Sequence, residues 1–355
     1  MARFMKQLIP VNIPDTYTID PMFIDIAHEE EIRQGILTFR EFLHQLCDGL
    51  LDDSSLCDIP KKGKKKYSDD TTLTVEFPFL NNIRSLLLNI GQFGVLSETG
   101  DSLLIKDWDK LSLKRSLNKN STTKISNAQM LKSIHFLTEC GLAFDGIDLS
   151  VKKPDLSRTE SINITYPTDP VMLTGWKVLG IAQNEFSSRK NDDILLRCDY
   201  RMLSKEVADV TSFMDDFVEP LPESVQDFVL NMHHHCLEAG MKCTVELGFF
   251  CVHLIYTHKK KAVWRFSTSL HNGYRMVLKT KNTHKYGDVV DGFSPSLRDT
   301  IHKGYGCDRK EGTSHGNCTN GCEGFKFSLD ESLLDISSEL ELWLDSELAS
   351  MQRKK

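Results

Sequence analysis

No stretch of this chain is apolar for long enough to cross a bilayer as a helix. The longest such run, Leu247 to Tyr256 (LGFFCVHLIY), spans ten residues where about 20 are needed. The start lacks the apolar core of a secretory leader, because Pro10 and Pro14 interrupt the few apolar positions that follow Arg3 and Lys6. The expectation is therefore a soluble, cytoplasmic protein with no membrane partner. Also missing are the phosphate-cradling G-x-x-x-x-G-K-[ST], the dinucleotide G-x-G-x-x-G, the hydrolase G-x-S-x-G and the zinc-peptidase H-E-x-x-H patterns, so none of those activities can be read from a motif. The carboxylates are scattered, and no pair has a spacing that assigns acid or base chemistry.

Cysteine is sparse for the length. Ten cysteines among 355 residues are too dilute for a secreted disulfide framework. Most of the first seven sit in apolar contexts, such as Cys140 in FLTECGLAF and Cys251 in FFCVHL, where a free thiol behaves as a small hydrophobe. Excess positive charge is missing too: 43 basic against 50 acidic residues give a formal charge of -7. That balance excludes a chain that coats nucleic acid indiscriminately but leaves room for a local basic face.

What is present divides the chain into three stretches. Residues 1–70 hold an amphipathic helix, with Ile32, Ile36, Phe39, Leu43 and Leu46 at spacings of three and four, followed by the lysine-rich linker PKKGKKKYSDD. Residues 71–185 hold two units, each an apolar-striped helix, a glycine and a short strand-like run: NNIRSLLLNIGQFGVLSE and NAQMLKSIHFLTECGLAFDG. Arg84-Ser85 and Lys132-Ser133 occupy similar helix positions, the mark of a diverged duplication. The second unit runs on through a basic connection to SINITYP, which gives the helix, strand, loop, strand layout of a winged helix and of many other small α+β units.

Between these units Lys106 to Lys132 carries a dense run of lysines, and Ser126 stands as an N-cap for the helix that follows. If that helix enters a groove, Lys114, Arg115, Lys119 and Lys124 take phosphates while Asn127 and Gln129 face base edges. A solvated basic surface on a packing helix is the alternative. The linker lysines of 60–70 have the same two readings.

Residues 186–355 form an α+β domain with a Cys-rich loop. CTVELGFFCVHLIYT, KAVWRFSTSL and GYRMVLKTKN read as three consecutive antiparallel strands, with Asn272-Gly273 as a two-residue hairpin turn. That turn sets Phe266 opposite Lys279 and Thr268 opposite Val277, so that Arg275 and Lys279 share the face of Trp264 and Phe266, with Arg265 on the other. Arg265, Arg275 and Lys279 are the candidate ligand-binding residues for a small anion; the alternative is that their stems run out to the sheet edge. A final helix, with Leu333, Ile336, Leu340, Trp343, Leu344 and Leu348 in a stripe and Ser328 and Glu331 at capping-box spacing, is expected to pack on the sheet.

The stretch YGCDRKEGTSHGNCTNGCEG places Cys307, Cys318 and Cys322 at C-x10-C-x3-C spacing, which is not the paired knuckle of common zinc modules. With His315 as a fourth ligand the three thiolates can close a structural zinc site; a reversible disulfide and unligated thiols are the other readings. In HHHC, His233 to Cys236, successive side chains point about 100° apart on a helix, so only His233 with Cys236, or His235 with a residue one turn away, can converge.

VWRFSTSLHNGYRMVLKTKNTHKY, with GYGCD, GC-E-G and the LDES helix, resembles an uncharacterised family of bacterial, mainly Firmicutes, proteins. The resemblance covers the last third most clearly. It implies an α+β arrangement and a recurring Cys loop, and it transfers no activity. The expectation is an α+β chain: a helical, winged-helix-like N-terminal half followed by an antiparallel sheet flanked by helices. Its leading function is an intracellular binding or regulatory protein. The N-terminal half contacts nucleic acid or a protein partner, and the C-terminal half holds a small ligand, with structural zinc. The alternative is a metal- or thiol-dependent enzyme working in the C-terminal domain.

Overall fold

The computed structural model describes residues 2–53, 56, 78–115, 123–151, 159–185, 194–205, 209–248, 251–269, 273–305 and 324–352. The chain is α+β and divides into two compact units, Met1–Ala208 with Gly248–Phe250 and Asp209–Leu247 with Cys251–Lys355.

In the first unit the elements are α1 (Ala2–Gln7), α2 (Pro21–Ile24), α3 (Glu29–Asp52), α4 (Pro78–Phe93), β1 (Val95–Leu96), β2 (Leu103–Ile105), α5 (Trp108–Leu111), α6 (Asn127–Glu139), β3 (Ala143–Asp145), β4 (Ile162–Thr165) and α7 (Val171–Glu185). The apolar stripe of α3 is buried as its spacing predicts, from Ile32 through Leu46. Its partner α7 is buried on nearly all sides, because it sits inside the helical layer rather than on it. The two axes come close where Gly35 faces Gly175: a Cβ built on Gly175 would lie 2.1 Å from the Gly35 carbonyl oxygen. Around this crossing Phe39 and Phe42 stack on Trp176 at 5.5 and 5.9 Å, and the indole N–H donates to the Leu87 carbonyl at 3.0 Å. Full burial of such a ring contributes roughly 2–3 kcal/mol. After α7 the segment from Ile194 to Leu203 also packs on this unit, with the Cys198 thiol donating to the Ile36 carbonyl and the Asp20 N–H to the Leu203 carbonyl.

The first unit's sheet has the order β1-β2-β4-β3. Each helix of the suspected duplication is followed by its own antiparallel pair, α4 by β1 and β2, α6 by β3 and β4, and the two second strands pair in the middle through Leu103 with Ile164 and Ile105 with Ile162. The shared serines behave alike: Ser85 Oγ donates to the Asn81 carbonyl at 2.7 Å, and Ser133 Oγ to the Gln129 carbonyl at 2.9 Å. The expected glycine cap of positive φ closes the second helix at Gly141 but not the first at Gly94.

The second unit contains α8 (Val210–Val218), α9 (Glu223–Glu238), β5 (Lys242–Gly248), β6 (Cys251–His258), β7 (Lys261–Ser269), β8 (Gly273–Leu278), α10 (Gly287–Asp291), α11 (Pro295–Tyr305), β9 (Phe325–Ser328) and α12 (Ser337–Gln352). The five strands lie side by side in chain order. The apolar run from Cys243 is two strands, not one. The final helix packs on the sheet through Trp343, whose ring lies 4.8 Å from that of Phe325. Its start differs from the capping-box expectation: Ser328 ends β9, and Asp330 accepts from the Ser332 N–H to cap a 3-10 turn that leads into α12.

The register of the β7–β8 hairpin corrects the sequence reading. Pairing closes at Ser269 opposite Gly273, so three residues rather than two connect the strands, and Phe266 faces Met276 where Lys279 was expected. A shift of three, being odd, exchanges the faces of β8. One face now carries the rows Leu254–Phe266–Met276–Phe327 and Tyr256–Trp264–Leu278–Phe325. The other carries His253–Ser267–Arg275–Ser328 and Ile255–Arg265–Val277–Lys326. The helices cover the first of these faces, with Phe217 of α8 6.0 Å from Phe266 and Trp343 of α12 against Phe325.

Candidate functional site

Two surfaces gather the candidate residues, one in each unit. In the first unit, a buried polar stripe runs along α4 through Asn81, Ser85 and Asn89. It fixes the basic segment that leads to α6. Asn89 Nδ2 donates to the carbonyls of Leu111 and Leu113 at 2.9 and 2.7 Å, and the Arg115 N–H donates to Ser85 Oγ at 2.9 Å. Arg115 itself turns inward: its Nε–H donates to Asn89 Oδ1 at 2.6 Å, its guanidinium also donates to Gln92 Oε1, and it lies over the Phe93 ring. Burial, with the neighbouring Arg84 charge second, pulls its pKa down to about 10. Arg115 is thus a half-buried residue tied to α4, where the sequence reading gave it to a phosphate.

Segment 111–115 pairs with 123–125 as they approach α6. Lys114 donates its N–H to the Thr123 carbonyl at 2.8 Å, and Lys124 meets Asp109 in an exposed ion pair of 2.8 Å. Such a pair is weak enough to yield to a phosphate. Lys119 lies outside the described residues.

Helix α6 buries Met130, Ser133, Ile134, Phe136 and Leu137 and leaves Asn127, Gln129, Lys132 and His135 exposed. Asn127 and Gln129 are therefore at the helix start and exposed to solvent. Lys132, whose ammonium lies 5.0 Å from the centre of the Phe79 ring, and His135 complete the exposed face and were not among the candidates read from the sequence. The helical period contained the signal, since 128, 131, 132 and 135 form a stripe opposite the buried one.

In the second unit, Arg265 and Arg275 share the sheet face that α12 does not cover, in adjacent cross-strand rows with Ser267 directly opposite Arg275. Lys279 follows on the same side, since its N–H continues the ladder to the Val263 carbonyl at 2.7 Å. The register shift thus brings together the three candidate ligand residues that the two-residue turn had divided between faces. Burial lowers the Arg265 pKa, with the Glu246 and Cys251 charges opposing, and its Nε is buried with no hydrogen-bond partner.

The remaining constellations have other roles. His233 Nδ1 lies 2.8 Å from the Tyr256 hydroxyl and His235 Nε2 2.7 Å from Asp345 Oδ1, so the HHHC run is divided among separate partners. Among the described residues no group of three or more metal-ligating side chains converges. Cys307, His315, Cys318 and Cys322 lie outside the described residues, as do the linker lysines of 60–70. Gly324, which ends the Cys stretch, is described: it has a φ of +98°, and a Cβ there would lie 2.6 Å from Val277 Cγ1. The chain therefore enters β9 pressed against the Arg265 face. No family model, curated protein or solved structure matches this chain.

Proposed function

We propose that this is an intracellular binding or regulatory protein whose first unit contacts duplex nucleic acid through α6 and whose second unit holds a small ligand. The order α4, β2, α5, α6, β3, β4, with the sheet order β2-β4-β3, supports the winged-helix reading, on which α6 would serve as the recognition helix. It departs from that pattern in the single-turn α5 and in β1, which adds an edge strand.

The observation that carries the reading is the exposed polar face of α6, with Asn127, Lys132 and His135 presented by a helix whose other face is locked into the core. Lys114 and Lys124 flank it as phosphate partners. Burial holds the Cys140 and Cys243 thiols up at about 11 and Cys198 and Cys236 higher still, which makes these four poor nucleophiles; the cysteines of the loop, on which the thiol-enzyme alternative rests, lie outside the described residues. Structural zinc on Cys307, Cys318, Cys322 and His315 belongs to the proposal as the clamp of its glycine-rich loop. Elemental analysis tests it: zinc-free protein with all three thiols freely alkylated removes the metal. For nucleic acid the test is fluorescence anisotropy on a labelled duplex with Lys132→Glu and His135→Ala. Loss of affinity in both, with unchanged thermal stability, supports the reading; equal affinity in both removes it.

A further inference from the structure

The connection between β6 and β7 is built against its own conformational preference. His258 pairs with Lys261, so Lys259 and Lys260 form a two-residue turn, and both have positive φ, +48° and +65°. That turn suits Asn-Gly, because a side chain with a Cβ is crowded in the left-handed region. Lysine at both positions is the less stable choice for folding, and such strain points to a use for the side chains. The turn also stands among further lysines. Thr257 Oγ1 donates to the Lys242 carbonyl at 3.3 Å, which puts the start of β5 beside the end of β6. The Lys279 N–H donates to the Val263 carbonyl at 2.7 Å, so the chain leaves β8 at this same end of the sheet and Lys281 follows two residues on. Lys242, Lys259, Lys260, Lys261 and Lys281 are all exposed, and none of the five pairs with a carboxylate among the described residues. Lys259 Nζ donates to the Met351 carbonyl at 3.2 Å, a neutral partner that leaves its charge uncompensated. Two carboxylates of α12 are engaged elsewhere: Glu347 accepts from the backbone N–H groups of Lys281 and Asn282, and Asp345 meets His235. Glu238, at the end of α9, is exposed.

We propose that this lysine-rich end of the sheet is a second contact for duplex nucleic acid, one that takes backbone phosphates without reading sequence. It extends the reading that the chain contacts a duplex, and it uses residues separate from α6. Composition decides the class of partner. Lysines are strongly hydrated point charges, suited to neutralising a row of phosphates rather than gripping one planar anion. Segments 257–262 and 279–285 contain no Trp, Tyr or Arg of the kind that anchors protein interfaces. Neither segment exposes a large apolar side chain that would enter a bilayer. The four strand ends, about 4.8 Å apart, span roughly 14 Å, the rise of about four base pairs. Uncompensated charges spread over that length match a polyanion better than a single small anion.

The test is fluorescence anisotropy of the full chain on two labelled duplexes of unrelated sequence, from about 50 mM salt upward, beside flotation with phosphatidylserine vesicles. Lys259→Asn combined with Lys260→Gly keeps the turn and removes two charges. It should weaken binding to both duplexes alike, by about tenfold at low salt, and make the salt slope shallower by roughly 2. The same variant should raise the thermal midpoint by about 2–4 °C, since the strain is relieved. Lys242→Gln combined with Lys281→Gln should weaken binding in the same way with the midpoint unchanged. A gain in stability together with a loss of affinity is a result that a purely structural hairpin does not give. Affinity that both double variants leave intact while Lys132→Glu lowers it overturns this surface and leaves α6 standing. Loss in both double variants with Lys132→Glu neutral keeps this surface and removes α6. Vesicle binding that the double variants abolish, with duplex affinity untouched, overturns the class of partner. No duplex binding by the parent chain removes both contacts.

Discussion

Arg115 donates its Nε–H to Asn89 Oδ1 at 2.6 Å, and this bond decides which part of the basic segment faces outward. The arginine that looks best placed for a phosphate instead ties the approach to α6 onto the buried face of α4. Removing it leaves Asn89 Oδ1 and Gln92 Oε1 without their donor in a part-buried setting. Arg115→Ala is expected to destabilise the first unit by about 1–3 kcal/mol, read from urea unfolding, while alanine at the exposed Lys106 leaves the midpoint unchanged. Equal midpoints for Arg115→Ala and the parent chain would contradict its structural role.

The carboxylate of Glu347, 2 % exposed, accepts from the backbone N–H groups of Lys281 and Asn282 at 3.0 and 3.2 Å, from Asn282 Nδ2 at 2.9 Å and from the Tyr286 hydroxyl at 2.6 Å. It fastens the segment after β8 to α12. Glu347→Ala orphans all four donors and should cost about 3 kcal/mol, whereas Tyr286→Phe removes one bond and should cost about 1. Chemical denaturation of both variants, monitored by tryptophan fluorescence, checks the order; a larger loss in Tyr286→Phe would refute it.

At the crossing of α3 and α7, Gly175 has no room for a methyl group. Gly175→Ala should separate the helices at a cost of roughly 3 kcal/mol, near the upper end for overpacking. Alanine at Gly240, whose added Cβ would meet nothing within 4 Å but whose φ is +76°, should cost less, through backbone strain alone. Thermal melts of the two variants distinguish them.

Acid should weaken the fold through His44 and His233, both held below the ordinary histidine range chiefly by burial, with nearby positive charge second. Each binds its proton less readily folded than unfolded. Stability from this source is complete above the unfolded value of about 6.5 and falls as pH drops through it towards the lowered folded values. Urea midpoints at pH 7.5 and 5.5 should show the decline, and His233→Gln should flatten it. A midpoint that rises on acidification would overturn the assignment.

The elements were legible wherever a period was long and clean. The stripe of α3, the final helix and the strands of the second unit all follow from spacing, and so does the repeat that becomes two hairpins joined through β2 and β4. The register of β7 and β8 was not legible, because Asn272-Gly273 is compatible with loops of two or three residues, and one residue of difference exchanges faces. Arg115 was misplaced for a related reason: its partners Asn89 and Gln92 are distant in sequence and look like ordinary polar helix positions. The exposure of Lys132 and His135 is legible in the helical period, as the stripe opposite the buried one.

The most direct test of the account is the affinity of the full chain for a labelled duplex as salt rises from about 50 to 200 mM. The logarithm of the binding constant should fall linearly with the logarithm of salt concentration, by about 0.9 for each phosphate neutralised, and Lys132→Gln should make that slope shallower by roughly 1. Binding that is absent at low salt, or a slope that Lys132→Gln leaves unchanged, would contradict α6 as the nucleic-acid contact.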